Sequence, residues 1–211
     1  MKRVFLLLVI TAFAAVAFGK PSYDAITGQT FTYAYLPGEF TPVADDTTLA
    51  NLDPVQSIDL VLQNFESHSD FYTVGLTVYN TDPSSGLPGS ALTSVSELIF
   101  IDADQRELVN FAFPTLWTPP TTDLWTGITI SGGPGGSGGP NLAWNIPDAA
   151  PTVGSSQDEF AVFQGSQWNA YYFGGTPVAN FAVRYNAVPE PCSVAVMGFG
   201  VIGLFVRRRR K

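Results

Sequence analysis

The chain has 211 residues, with 18 Asp and Glu against 10 Lys and Arg, for a formal charge of −8. Seven of the ten cations lie at the ends, as Lys2, Arg3 and Arg207 to Lys211, so residues 20–187 carry seventeen acids against Lys20, Arg106 and Arg184, a net charge of about −14. A surface of that sign repels nucleic-acid phosphates and anionic lipid heads. The single cysteine, Cys192, excludes an internal disulfide, and a single histidine excludes a zinc site of nitrogen and sulfur ligands.

Lys2 and Arg3, the apolar run Val4 to Val16 and Ala17-Phe18-Gly19 follow the charged, apolar and small-residue order of a secretory signal peptide, residues 1–19. The run is shorter than the ~20 residues of a membrane span. Residues 20–187 then form one exported domain, long enough to bury a core without disulfides.

Within that domain the apolar period is two, the signature of strands. Ile58, Leu60 and Leu62 share one face, as do Val74, Leu76 and Val78. The same holds for Val109, Phe111 and Phe113, and for Phe181, Val183 and Tyr185, while Trp125 to Ile130 is a β-branched run. Turn clusters at Asn80 to Gly86, Thr118 to Thr121 and Gly132 to Pro140 separate them. No ten-residue stretch of the domain has helical periodicity with caps. Short strands and Gly/Pro turns over this length predict an all-β, two-sheet antiparallel sandwich.

The candidate chemistry follows in chain order. Asp45 and Asp46, and further on Asp102 and Asp104, are local acid pairs in Asp-rich turns that could offer oxygens to a structural Ca²⁺; solvated acids are the competing reading. His68 lies in the polar stretch Glu66 to Asp70 and reads as a loop residue rather than a general base. Asp102 to Glu107 comes within one residue of a Glu-x-Asp-x-x-Glu glycosidase motif, but Asp102 stands in the nucleophile's place. Its flanks, Leu98 to Ile101 and Leu108 to Phe113, read as a hairpin with this segment, including Asp102 and Glu107, as its turn. Gly133 to Gly138 matches a dinucleotide fingerprint in letters only, since no helix follows to supply phosphate-binding amides. Trp168, Tyr171 and Tyr172, after a Gly-Ser-Gln turn, are the candidates for stacking on sugar rings; filling the core is the alternative role.

The last segment, residues 188–211, is tripartite. Val188-Pro189-Glu190-Pro191 precedes an apolar run, Cys192 to Val206, about 22 Å long as a helix, short for a bilayer but able to span a thinned one. Arg207, Arg208, Arg209, Arg210 and Lys211 then stop transfer on the cytoplasmic side. This tail resembles the PEP-CTERM sorting signal of Gram-negative bacteria, whose Pro-Glu-Pro is read by an exosortase. Val74 to Leu92, Ala44 to Ala50, Trp168 and Pro177 to Phe181 look like the secreted jelly-roll domains found ahead of such tails, a likeness spanning about residues 23 to 187. The resemblance implies a jelly-roll-like ectodomain, a single short C-terminal transmembrane helix and processing by an exosortase after transient residence in the inner membrane. It further implies delivery to the cell surface or extracellular matrix, with exopolysaccharide or a biofilm as the setting. The expected function is that of a non-enzymatic surface or matrix protein without a cofactor. The alternatives are a carbohydrate-binding module of the same matrix and a glycoside hydrolase.

Overall fold

The computed structural model describes residues 20–133, 141–174 and 180–188. The signal peptide expected at 1–19 and the tail from Pro189 onward lie outside the described residues. Twelve strands make up the fold: β1 (Tyr23–Asp24), β2 (Tyr33–Tyr35), β3 (Val43–Thr48), β4 (Val55–Asn64), β5 (Asp70–Thr81), β6 (Pro88–Ile101), β7 (Arg106–Trp117), β8 (Asp123–Gly132), β9 (Leu142–Ile146), β10 (Glu159–Gln164), β11 (Gln167–Tyr172) and β12 (Val183–Ala187). None of the described residues is helical.

The strands form two antiparallel sheets. The first has the order β1-β12-β4-β9-β2, with β7 also paired to β4; the second runs β11-β10-β3-β8-β5-β6. The chain changes sheet at every connection except β1–β2 and the hairpins β5–β6 and β10–β11. That alternation is jelly-roll-like. It closes the sandwich by threading, so each sheet is assembled from distant segments.

The alternating apolar residues supply the core. Ile58, Leu60 and Leu62 of β4 face Val74, Leu76 and Val78 of β5, with Ile128 and Ile130 of β8, Phe111 of β7 and Tyr185 of β12 in the same buried cluster. Each such side chain contributes roughly 1.5–3 kcal/mol relative to exposure. Trp144 of β9 stacks on Phe181 with ring centroids 4.3 Å apart, and its indole nitrogen donates to the Ala182 carbonyl at 3.3 Å.

One expectation about neighbours fails. The segments before and after Asp102 to Glu107 do not make a hairpin: β6 pairs with β5 in the second sheet, whereas β7 pairs with β4 in the first. The intervening turn therefore crosses between sheets, and Glu107 belongs to β7 rather than to the turn. Period-two alternation reports which face is buried, not which strand lies alongside.

β12 is an interior strand, held by β1 on one side and β4 on the other. Its exit is anchored too, because the Val188 amide donates to the Pro54 carbonyl at 2.7 Å.

Candidate functional site

The outer face of the second sheet carries a trough. Ala170, Ala161, Ala44, Gly127, Thr77 and Ser94 stand side by side across all six strands, one from each. Residues this small leave a furrow, and aromatic rings fill part of it. Trp168 of β11 and Tyr79 of β5, four strands apart, meet edge to face at 5.4 Å, and Phe163 abuts Trp168 at 5.3 Å. Beneath them Ala44, Ala161 and Trp125 are buried, and the Trp125 indole donates to the Gly86 carbonyl at 3.1 Å. A Cβ at Gly127 would come within 2.9 Å of Tyr79 Cε2 and 3.3 Å of Ala44 Cβ, so only glycine admits the ring here. The result is a second, smaller core on the outside of the sheet.

This arrangement corrects the stacking trio. Trp168 is a packing residue of the outer core. Tyr171 points to the opposite face and stacks on Phe160 at 5.5 Å. Tyr172 shares Trp168's face but stands clear of it, 69% exposed. The three rings do not form one platform, because consecutive strand residues alternate faces.

The acid pairs also separate. Asp45 and Asp46 lie on β3 rather than in a turn, and so point to opposite sides of the sheet. Asp45 is completely buried between the sheets; its Oδ2 accepts the Phe181 amide at 3.0 Å, and its Oδ1 has no hydrogen-bond partner among the described residues. Burial, and then the adjacent Asp46, push the Asp45 carboxyl well above the usual carboxylate range. Asp46, on the outer side, accepts the Gln157 amide at 2.8 Å and the Ser156 hydroxyl at 3.2 Å. Burial outweighs those bonds and pushes it up to about 6. Asp102 and Asp104 sit at the β6–β7 crossing, where Asp102 accepts the Ser69 hydroxyl at 2.8 Å and Asp104 adopts a left-handed φ of 54°. Among the described residues no three His, Cys, Asp or Glu side chains converge as a metal-binding group.

His68 is exposed in the β4–β5 loop, where its carbonyl accepts the Asn64 carboxamide at 3.1 Å.

Two cations are committed to structure. Arg184 of β12 grips Asp59 of β4 through Nε at 3.0 Å and a terminal nitrogen at 2.6 Å. Asn186 and Asn110 complete the set by donating to the same carboxylate, so β12, β4 and β7 are tied across the outer face of the first sheet. Arg106 donates to the Phe31 carbonyl and to Gln63, and lies 5.4 Å from the Phe31 ring. Sequence reasoning missed the Asp59 cluster. Its signal was present: Arg184 is one of three cations in an acid-rich domain, at an outward position of a strand that alternates cleanly.

Comparison with known proteins completes the site. No curated protein sequence matches the chain. Among solved structures it is similar to "Structure of infectious bursal disease virus Gt strain", at 15% identity and a TM-score of 0.34, and to the corresponding Gx strain structure, at 17% and 0.33. Each likeness covers 82% of this chain and 39% of the other, so the chain spans well under half the length of those proteins. The model of the PEP-CTERM protein-sorting motif matches residues 187–211, beginning on the last residue of β12. That motif implies processing by an exosortase and export to the cell surface or extracellular space of a bacterium. The chain is an all-β sandwich carrying a PEP-CTERM protein-sorting motif that begins on the last residue of its final described strand.

Proposed function

We propose that the protein is a non-enzymatic component of the surface or extracellular matrix of a Gram-negative bacterium, released from the inner membrane by exosortase processing and associated with exopolysaccharide. The sorting motif at 187–211 carries this reading. Consistent with it, Arg184 and Asp59 tie three strands together, and Asp45 is fully enclosed between the sheets. In this reading Pro189 and Pro191 present Glu190 in an extended segment, since each fixes its own φ and keeps the preceding residue out of the helical region. Cys192 to Val206 sits in the bilayer, and Arg207 to Lys211 remain cytoplasmic.

The test is the fate of the tail in the native host. The mature surface protein should end near Pro191 by intact mass. Replacing Pro189-Glu190-Pro191 with three alanines should leave an uncleaved form in the inner-membrane fraction. A surface-located mature protein that still carries Arg207 to Lys211 would refute the reading.

A carbohydrate-binding role is the second reading, favoured by Tyr172 standing clear at the β11 edge. It requires Tyr172→Ala to abolish retention on a glycan gel at unchanged melting temperature.

A further inference from the structure

Both covalent exits from the domain lie at one end of the sandwich. Ser22, two residues after Lys20, donates its amide to the Tyr185 carbonyl and accepts the Ala50 amide. Val188 is bonded to Pro54, and Ala187, Val55 and Trp117 stand in register across β12, β4 and β7. The 49–54 loop and the last residues of β7 therefore surround the point where the chain leaves β12. The pairing of β7 with β4 shifts between Val55 and Ser57, skipping Phe113 to Leu116; an edge strand tolerates Pro114 there. Two apolar side chains are exposed around this exit, Leu52 at 43% and Leu116 at 57%, while Trp117 is half-buried, packed against the core and against Phe113 at 5.9 Å.

The tether is short. From Val188 to Cys192 the chain has four Cα-to-Cα steps, at most about 14 Å when fully extended. The headgroup layer on one side of a bilayer is roughly 5–8 Å thick. With Cys192 at the hydrocarbon boundary, Val188 can stand at most about 6–9 Å beyond the headgroups, and the side chains around it are held within that distance. We infer that this end of the sandwich, presenting Leu52, Leu116 and the accessible part of Trp117, docks on the lipid–water interface while the tail is held in the membrane; the inference rests on the membrane-held tail proposed above. Leucine gains there by leaving water, and tryptophan is enriched at that depth in membrane proteins. The occupant is lipid, since tether length places the bilayer at this surface before any other partner. Docking would fix the domain's tilt and hold the Pro-Glu-Pro segment at the membrane surface.

The experiment uses the full chain in zwitterionic phosphatidylcholine vesicles, with Cys192→Ala removing the native thiol. Leu52→Cys and Leu116→Cys, each labelled with an environment-sensitive fluorophore, report on the exit end. Leu98→Cys is the reference: it is 68% exposed on β6 and roughly 33 Å along that strand from Pro88, which the pairings of Pro88 with Thr81, Asn80 with Leu124 and Asp123 with Thr48 place at the end where the 49–54 loop begins. The chain should float with the vesicles. Lipid-borne quenchers should then reduce emission at positions 52 and 116 several-fold more than at 98. A floating chain with equal quenching at all three positions would overturn the docking and leave the membrane-held tail intact. A chain that does not float would overturn both.

Discussion

At position 45 a carboxyl group is enclosed by the two sheets without an ion pair among the described residues, and its neighbour at 46 is partly enclosed on the other side. An aspartate in the unfolded chain titrates near 3.9. A folded-state value raised above that favours the folded protein while the group stays protonated and loses the contribution as pH rises through the raised value. Stability should therefore fall from about pH 4 to about pH 6, the value for Asp46, with Asp45 adding in the same direction. Hydrogen bonds lower Asp82 and Asp148 instead, and those exposed groups act below that window. Melting temperatures at pH 4, 5, 6 and 7 check this: Asp46→Asn should flatten part of the decline, and a wild-type curve that rises over the interval would contradict it. Position 168 yields a second residue-scale prediction. Trp168→Ala should cost about 2 kcal/mol in urea unfolding, less than a fully enclosed tryptophan, because the ring is only half-buried. Gly127→Ala should cost roughly 1–3 kcal/mol by driving a methyl group into Tyr79, and a neutral result would show that the outer core is loose.

At the scale of elements, the β10–β11 hairpin turns on Gly165 and Ser166, both with positive φ, at 61° and 72°. Two such residues match the twist of the flanking strands, but serine meets a steric cost there that glycine does not. Ser166→Gly should raise stability by about 0.5–1 kcal/mol, read as a higher melting temperature; a fall would mean that the serine side chain contributes more than its backbone costs. The three-strand tie at Asp59 makes the opposite point. Arg184→Met leaves a nearly buried carboxylate with amide donors but no cation, and should cost on the order of 3 kcal/mol. Equal stability of the variant in urea would show that the asparagines alone suffice.

These elements also mark where sequence was legible. Ile58, Leu60 and Leu62, like Val74, Leu76 and Val78, announce their strands because one face is apolar and the other is not. β9 is silent: Leu142 to Ile146 is buried on both faces, so its alternation vanishes. Asp45 and Asp46 read as a hydrated turn because adjacent acids rarely mark a strand, and nothing local says that one of them faces the core. Leu98 to Phe113 shows its strands and its turn but hides the change of sheet, which depends on partners far along the chain. The sorting segment was the most readable part because its function resides in the linear order of its residue types.

For the molecule as a whole, stability without disulfides depends on closing both sheets around one core. β12 is the second strand from one edge of the first sheet, bonded on both sides and filling the core with Val183 and Tyr185. A chain truncated after Ala182 should therefore fail to fold rather than lose a few degrees. Far-UV circular dichroism and proton NMR decide it: dispersed amide signals from the truncated chain would show that the remaining strands suffice.

The interior position of that last strand has a kinetic meaning. With most connections passing between sheets, native contacts join residues far apart in sequence, and folds of that kind close slowly. Synthesis and export deliver the chain from its first residue onward, so the partners of β12 wait unsatisfied until residues 183–187 have arrived. An exported chain that cannot finish early stays threadable while it crosses the membrane. On this topology the first sheet cannot be completed until the strand bordering the sorting motif has arrived.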